Sequence, residues 1–409
     1  MNLERFIASR LAGTKDKSSV SAPIVKIAIG AIAIGIAVMI ITIATGTGLQ
    51  EKVREKVAGF GGHIQIYSFE NSYNYITNPI SKNQDFYPEY KEIPEVKHIQ
   101  VYANKPGVIR TKNNFDGVVL KGVDIDYDFT FLKESLVVGS IIKLDSVKIS
   151  SEVLISEKIS KGLGLNTGDK FNIFFLDEGN SAPKVRRLTV SGIYNSGLKD
   201  FDENFIIGDL KQIQRLNKWD ANTVGGFELI IDDFKNIDKV VTEVYHNISF
   251  DLNAVSIKET NHYILEWLNL FDLNIVVIIL IMLTVAGINM VTALLILILE
   301  KTQMIGILKA LGANNWDIRK IFLHHSYYLI SRGLIIGNII GLSIIIIQKV
   351  FKLIKLNPDI YYVNAVPISI NVVHVLILNA ATLVLVLFML LIPSYMVTRI
   401  SPVKAIKFD

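Results

Sequence analysis

Four long apolar stretches, three of them without a charge, limit what this chain can fold into. They run over residues 27–50, over 273–299, over about 325–348 (with Arg332 near one end), and within the uncharged run 360–398, where 369–396 is the best placement. A helix needs about twenty apolar residues to cross a bilayer, so each stretch reads as a span. The second contains eighteen Leu, Ile or Val residues. Their gross insertion free energy, roughly 5–10 kcal/mol, outweighs the cost of Asn289. The first stretch exceeds a signal-peptide core and follows a long polar segment, so it reads as a signal anchor. Half of the 409 residues are hydrophobic, too many for a soluble chain of this size. A net charge of +4 with no basic block argues for no nucleic-acid partner. The chain has no cysteine, which excludes disulfides and thiolate chemistry.

Positive charges near the span ends set the orientation. Arg5, Arg10, Lys15, Lys17 and Lys26 precede the first span, Lys301, Lys309, Arg319 and Lys320 follow the second, and Arg399, Lys404 and Lys407 follow the fourth. These three regions are expected to be cytoplasmic, against a weaker opposing signal from Lys349, Lys352 and Lys355. The expected order is a cytoplasmic amphipathic N-terminus at 1–23, a first span at 24–48, an outer α/β domain with stalk helices at 49–270 and a second span at 271–299. A cytoplasmic loop at 300–324, a third span at 325–348, a short outer loop at 349–368, a fourth span at 369–396 and a cytoplasmic tail at 397–409 complete it. The fold class is an α-helical membrane protein of four transmembrane helices, with a large mixed α/β domain between the first two.

Within that domain, Leu49, Val53 and Val57 at i, i+4, i+8 extend the first span into a stalk that Gly59, Gly61 and Gly62 end. Tyr263, Leu265, Trp267 and Leu268 form the returning stalk. Strands are expected at 64–67, 117–123, 153–155, 170–175 and 188–193, with a short helix at 156–163 capped by Ser156. Residues 70–94, rich in Asn, Tyr, Ser and Pro, read as a mobile loop. Asp124, Asp126 and Asp128 alternate like a calcium loop but lack its glycine and distal glutamate. Residues 176–187 are a polar hairpin loop with Gly179 and Pro183. Ala31 and Gly35 offer one small-residue packing pair, and Gly333, Gly337 and Gly341 predict a close helix crossing. Arg332 can snorkel, His324 and His325 read as interfacial, and Pro393 marks a kink.

Between the second and third spans, Ile305, Leu308 and Leu311, with Met304, recur at helical spacing, and Gly312 is a helix stop. Such a segment is either a capped connecting turn or an amphipathic helix that docks into a soluble partner. The run 305–313, Ile-Gly-Ile-Leu-Lys-Ala-Leu-Gly-Ala, after Glu300, resembles the signature of the FtsX-like/MacB-type ABC transporter permease family, LolC/LolE in type. Gln303 and Met304 stand where that family commonly has a second acid. The resemblance extends to Phe6-Ile7-Ala8-Ser9-Arg10, to the outer 156–169 element and to the closing Ser401-Pro402 motif.

The resemblance implies a MacB-like periplasmic core and a multi-pass protein of the cell inner membrane, with both termini cytoplasmic. It implies an ATPase-coupling helix carried by Glu300, Gln303, Ile305, Gly306, Leu308, Lys309, Ala310, Leu311 and Gly312, and a carrier-binding hook carried by Leu176, Gly179, Pro183, Arg186 and Arg187. Lipid- or substrate-facing positions are Met39, Ile43, Val277 and Ile281. The implied partners are a LolD-like ABC ATPase dimer, a second permease chain (identical or LolC/LolE-like), a LolA-like lipoprotein carrier, a lipoprotein substrate and membrane lipids. The chain has no phosphate-binding G-x-x-x-x-G-K-[ST] loop and no H-E-x-x-H or G-x-S-x-G motif. No catalytic or metal-ligating residue is therefore assigned, and the only nucleotide chemistry, ATP with magnesium, belongs to the partner ATPase. Two functions remain open: lipoprotein release, or MacB- or FtsX-like mechanotransmission to an outer partner.

Overall fold

The computed structural model describes residues 21–70, 76–111, 114–176 and 182–400. The expected helix at 1–12, Gly179 and the 401–406 motif lie outside the described residues. The chain divides into two compact units, one of Met1–Glu51, Trp267–Lys355 and Ala365–Asp409, the other of Lys52–Glu266 and Leu356–Asn364.

The first unit is helical. Its helices long and apolar enough to cross a membrane are Ser21–Gly61, His262–Glu300, Asn315–Phe351 and a fourth that begins with Val372–Met389. The first helix continues past Gly48, as the buried Leu49, Val53 and Val57 require. The third begins at Asn315 rather than 325, because the Asn314 side chain caps it by accepting the Asp317 amide at 2.9 Å. The fourth breaks at Leu390, just ahead of the expected kink, and Pro393 lies in the short turn Leu391–Ser394.

Helix packing follows the glycine periodicity. A Cβ on Gly333 would stand 2.7 Å from Ile32 Cγ2, one on Gly337 2.6 Å from the Ala33 carbonyl, and one on Gly341 3.1 Å from Ala37 Cα. The third helix therefore lies almost backbone to backbone on the first. The small pair it uses is Ala33 and Ala37. Ala31 and Gly35 are not that pair, since the nearest atom to a Gly35 Cβ is the Met282 carbonyl at 3.9 Å. Gly337→Ala is accordingly expected to cost about 1–3 kcal/mol through helix separation, Gly341→Ala less, and Gly30→Ala, which meets nothing within 4 Å, nothing measurable. Thermal unfolding of the three variants in detergent checks the ranking.

Side-chain amides in this unit bond across helices. Asn338 and Asn379 exchange amide hydrogen bonds at 2.7 and 3.0 Å between the third and fourth helices, and each also donates to a carbonyl one turn back. Gln50 donates to the Asp272 carboxylate at 2.9 Å and to the Leu268 carbonyl at 3.2 Å. Buried Gln348 donates to the Ile354 and Val366 carbonyls and accepts from the Ile354 amide. Arg332 lies over the Tyr328 ring, 4.3 Å from its centroid. His325 is 3% exposed, turned by the helix into the helical unit.

Among the described residues, the second unit is built on a mixed ten-stranded sheet. Its strands are β1 (Ile64–Ser68), β3 (Val96–Arg110), β4 (Phe115–Val123), β5 (Leu136–Gly139), β6 (Glu152–Ser156), β7 (Lys170–Phe175), β8 (Lys184–Tyr194), β9 (Phe205–Asp209), β11 (Gly226–Ile231) and β12 (Leu252–Ser256); the short β2 (Ile80–Ser81) and β10 (Thr223–Val224) form a separate ribbon. The order is β12-β1-β11-β3-β4-β9-β6-β8-β5, with β7 bridging β3 and β8. The Ser156 cap forms as the sequence indicates, its hydroxyl accepting the Ile159 amide at 3.0 Å. The segment expected to be a mobile loop at 70–94 is built into the domain over its described part: Phe86, Tyr90 and Ile93 are buried, and Lys82 pairs with Asp124 at 2.7 Å. The remaining two aspartates also have protein partners, Asp126 accepting from Tyr87 and the Val101 amide and Asp128 capping Thr130.

Candidate functional site: an elbow helix and a socketed stalk

After Glu300 the second long helix breaks for one residue, Lys301, and resumes as the elbow helix Thr302–Ala310. Gly312, at φ 94°, stops it in a conformation that side chains disfavour. The sequence gives the elbow apolar residues on two sides, and the structure separates them. Ile305 and Gly306 are buried, and Met304, Leu308 and Ala313 pack against the core of the helical unit. The outward stripe is Gln303, Ile307 and Leu311, at i, i+4, i+8, flanked by Ala310 and Gly312. Ile307 is 47% exposed, Leu311 80% and the nearby Trp316 51%.

This changes the residue assignments. Ile305 and Gly306 hold the elbow to its own unit rather than presenting a surface, and Leu308 is partly buried against the same core. Glu300 pairs with its neighbour Lys301 at 3.0 Å. Lys309 turns back, and its ammonium donates to the Val397 and Ile400 carbonyls at 2.8 and 2.9 Å. Ile307 and Trp316 were not singled out from the sequence, although the spacing of Gln303, Ile307 and Leu311 was there to be read. An exposed apolar stripe on a short helix suits a groove in another protein.

In the second unit, the last turn of the first helix enters the sheet domain like a plug. Phe60 is 2% exposed, stacks on Phe201 at 4.2 Å and meets Phe205 edge-on at 5.2 Å. A Cβ on Gly59 would stand 2.8 Å from Phe131, so the glycine admits that ring. Gly62, at φ 72°, turns the chain into β1. Beneath this turn lies a buried polar network. Lys121 on β4 donates to the Phe60 carbonyl and to Glu228 on β11 at 2.7 Å, and Gln100 on the intervening β3 donates to the other Glu228 oxygen at 2.8 Å. Burial draws the Lys121 ammonium below the ordinary lysine range, against the pull of Glu228.

His63, next in the chain, is held at about 4 by burial, well below its ordinary 6.5. Its Nδ1 accepts the Ile231 amide at 3.3 Å, which needs the neutral ring. Between pH 6.5 and 4 the unfolded chain takes a proton that the folded one refuses. The His63 contribution is therefore complete above pH 6.5 and lost as pH falls toward 4. Thermal unfolding of the purified chain over that range is expected to show a steeper acid loss than in His63→Gln.

The expected hook residues separate. Leu176 is exposed at the end of β7, and Pro183 is exposed just before β8. Arg186 and Arg187 belong not to the loop but to β8, opposite Ile173 and Asn172. Neighbouring strand residues point to opposite faces, so the two arginines do not act as one patch. Among the lipid-facing positions, Val277 and Ile281 are 44% and 53% exposed, and Ile43 is half-buried. Met39 is 0% exposed within the helical core, which corrects its assignment to an open face.

Comparison with known proteins covers nearly the whole chain. Residues 276–402 match the FtsX-like permease C-terminal family, and residues 27–245 the MacB-like periplasmic core domain family. The lipoprotein-releasing system transmembrane protein LolE of Haemophilus influenzae is 23% identical, over 99% of each chain. The lipoprotein-releasing system transmembrane protein LolC of Neisseria meningitidis is 20% identical, over 100% of each. The crystal structure of the periplasmic region of MacB from Actinobacillus actinomycetemcomitans is 14% identical, covers 52% of this chain and 97% of its own, and has a TM-score of 0.33, too loose a likeness to argue from.

Proposed function

Because the chain belongs to the FtsX-like permease family and carries a MacB-like periplasmic core domain, we propose that it is the membrane subunit of an ABC transporter that releases lipoproteins from the inner membrane to a soluble carrier. The observation that supports this most is the end-to-end likeness to proteins of lipoprotein-releasing systems. In this reading a separate ATPase dimer binds ATP and magnesium and closes on the stripe Gln303, Ile307 and Leu311. The loops holding Lys301, Lys309 and Arg319 and both termini lie in the cytoplasm, and the sheet domain lies in the periplasm. Two permease chains, identical or related, face one another, and Val277 and Ile281 offer acyl chains an apolar face worth about 0.8 kcal/mol per buried CH₂. The β7–β8 connection, flanked by the exposed Leu176 and Pro183, receives the carrier. ATP closure moves the elbow, and the long helices carry that movement outward.

The deciding experiment reconstitutes the permease with its co-purifying ATPase in proteoliposomes that hold an acylated lipoprotein. Addition of ATP and a soluble carrier is expected to move the lipoprotein into the supernatant. ATP hydrolysis with the lipoprotein left in the membrane would instead favour mechanotransmission of the MacB or FtsX kind.

A further inference from the structure

We propose that the buried Lys121–Glu228 pair is a transmission pin, a positioning pair that fixes the end of the first helix to the sheet so that helix movement reaches the outer domain instead of being absorbed at the joint. The inference rests on the permease reading. Lys121 and Glu228 side chains are 3% and 1% exposed. Three rings surround the ammonium, with centroids at 4.9 Å (Phe60), 5.7 Å (Tyr102) and 5.4 Å (Tyr127). The pair joins β4 to β11 across β3, through Gln100, whose own oxygen accepts the Asp128 amide at 2.9 Å.

A buried ion pair is a poor way to gain stability, since well-packed neutral groups of the same volume often do as well. It does provide direction. The Phe60 carbonyl is one of the unpaired acceptors at a helix C-terminus, where positive charge is favoured. The aromatic contacts of Phe60 hold the helix end by area alone. The Lys121 bond sets the end's rotation and depth relative to three strands. Gly62 leaves room for this, because a Cβ there would stand 2.9 Å from Glu228 Cβ.

The test is the double variant Lys121→Met/Glu228→Gln in the full reconstituted complex. Methionine keeps the length of the lysine stem, and glutamine keeps the bond to Gln100. ATP hydrolysis and the unfolding temperature are expected to stay near those of the unaltered complex, while lipoprotein released per ATP falls about tenfold. Amide exchange at residues 58–62 is expected to accelerate without change in β6 or β8. Unchanged release per ATP with unchanged exchange would overturn the pin. Should the double variant fail to fold, Gln100→Leu, which removes only the amide that orients Glu228, carries the same comparison with an expected loss of about threefold. If the unaltered complex releases no lipoprotein, the transport reading has failed, and exchange at 58–62 still decides the pin.

Discussion

Leu311→Asp is expected to strip the ATPase from the permease while leaving the permease folded. Leu311 is 80% exposed, so a carboxylate there stays in water and changes stability by no more than about 0.5 kcal/mol. In a partner's groove the same carboxylate is desolvated with nothing to pair it. Losing an apolar anchor at the centre of an interface costs about 2 kcal/mol or more, roughly thirtyfold in affinity, before the buried charge is counted. Ile307→Asp is expected to act in the same direction. Ile305→Asp is the contrasting case: that residue is 0% exposed, and the variant is expected to lose the fold of the elbow itself. Capture of the ATPase by tagged permease, with unfolding followed in parallel, separates these outcomes. Stoichiometric ATPase on folded Leu311→Asp would show that the outward stripe is not the docking face.

Phe60→Ala is expected to lower the stability of the sheet domain by about 3–5 kcal/mol. The ring fills the space between Phe201 and Phe205, and its neighbours Val119, Val123, Leu132 and Leu154 belong to the same buried cluster. Alanine would leave a cavity that these rigid strands cannot close. Phe60→Leu is expected to cost much less, because it refills most of the volume. Denaturant unfolding, read by amide exchange in β4 and β9, measures both. A loss below about 1 kcal/mol for alanine would mean that the plug is not what anchors the helix end.

The long helices were legible because bilayer length and lack of charge leave few alternatives. The Gly333, Gly337 and Gly341 spacing announced a close crossing, and the crossing exists. Its partner residues were harder, because the first helix has small residues on most of its faces. Ala31 with Gly35 and Ala33 with Ala37 are then equally spaced candidates, and only the packing chooses. The elbow had the same ambiguity: Ile305 with Leu308 and Ile307 with Leu311 both make apolar stripes, and which turns inward depends on what the elbow is folded against. Met39 looked like any outward aliphatic residue of a span, and its burial depends on the position of the other helices. The Lys121–Glu228 pair was invisible for a different reason. Its members are 107 residues apart, and the pair forms only once β3 has been laid between β4 and β11. The 70–94 segment misled because its composition describes a surface loop, whereas three of its ring and aliphatic side chains find room in the core.

The grip of Lys309 on the Val397 and Ile400 carbonyls has a practical side. Residues more than eighty positions apart are clasped by one ammonium, so the chain's last described turn must follow wherever the elbow goes. A spin label or fluorophore placed near Thr398 would therefore register movement of the elbow without touching the exposed stripe of Ile307 and Leu311. Conversely, a bulky fusion at that end would act as a brake on it.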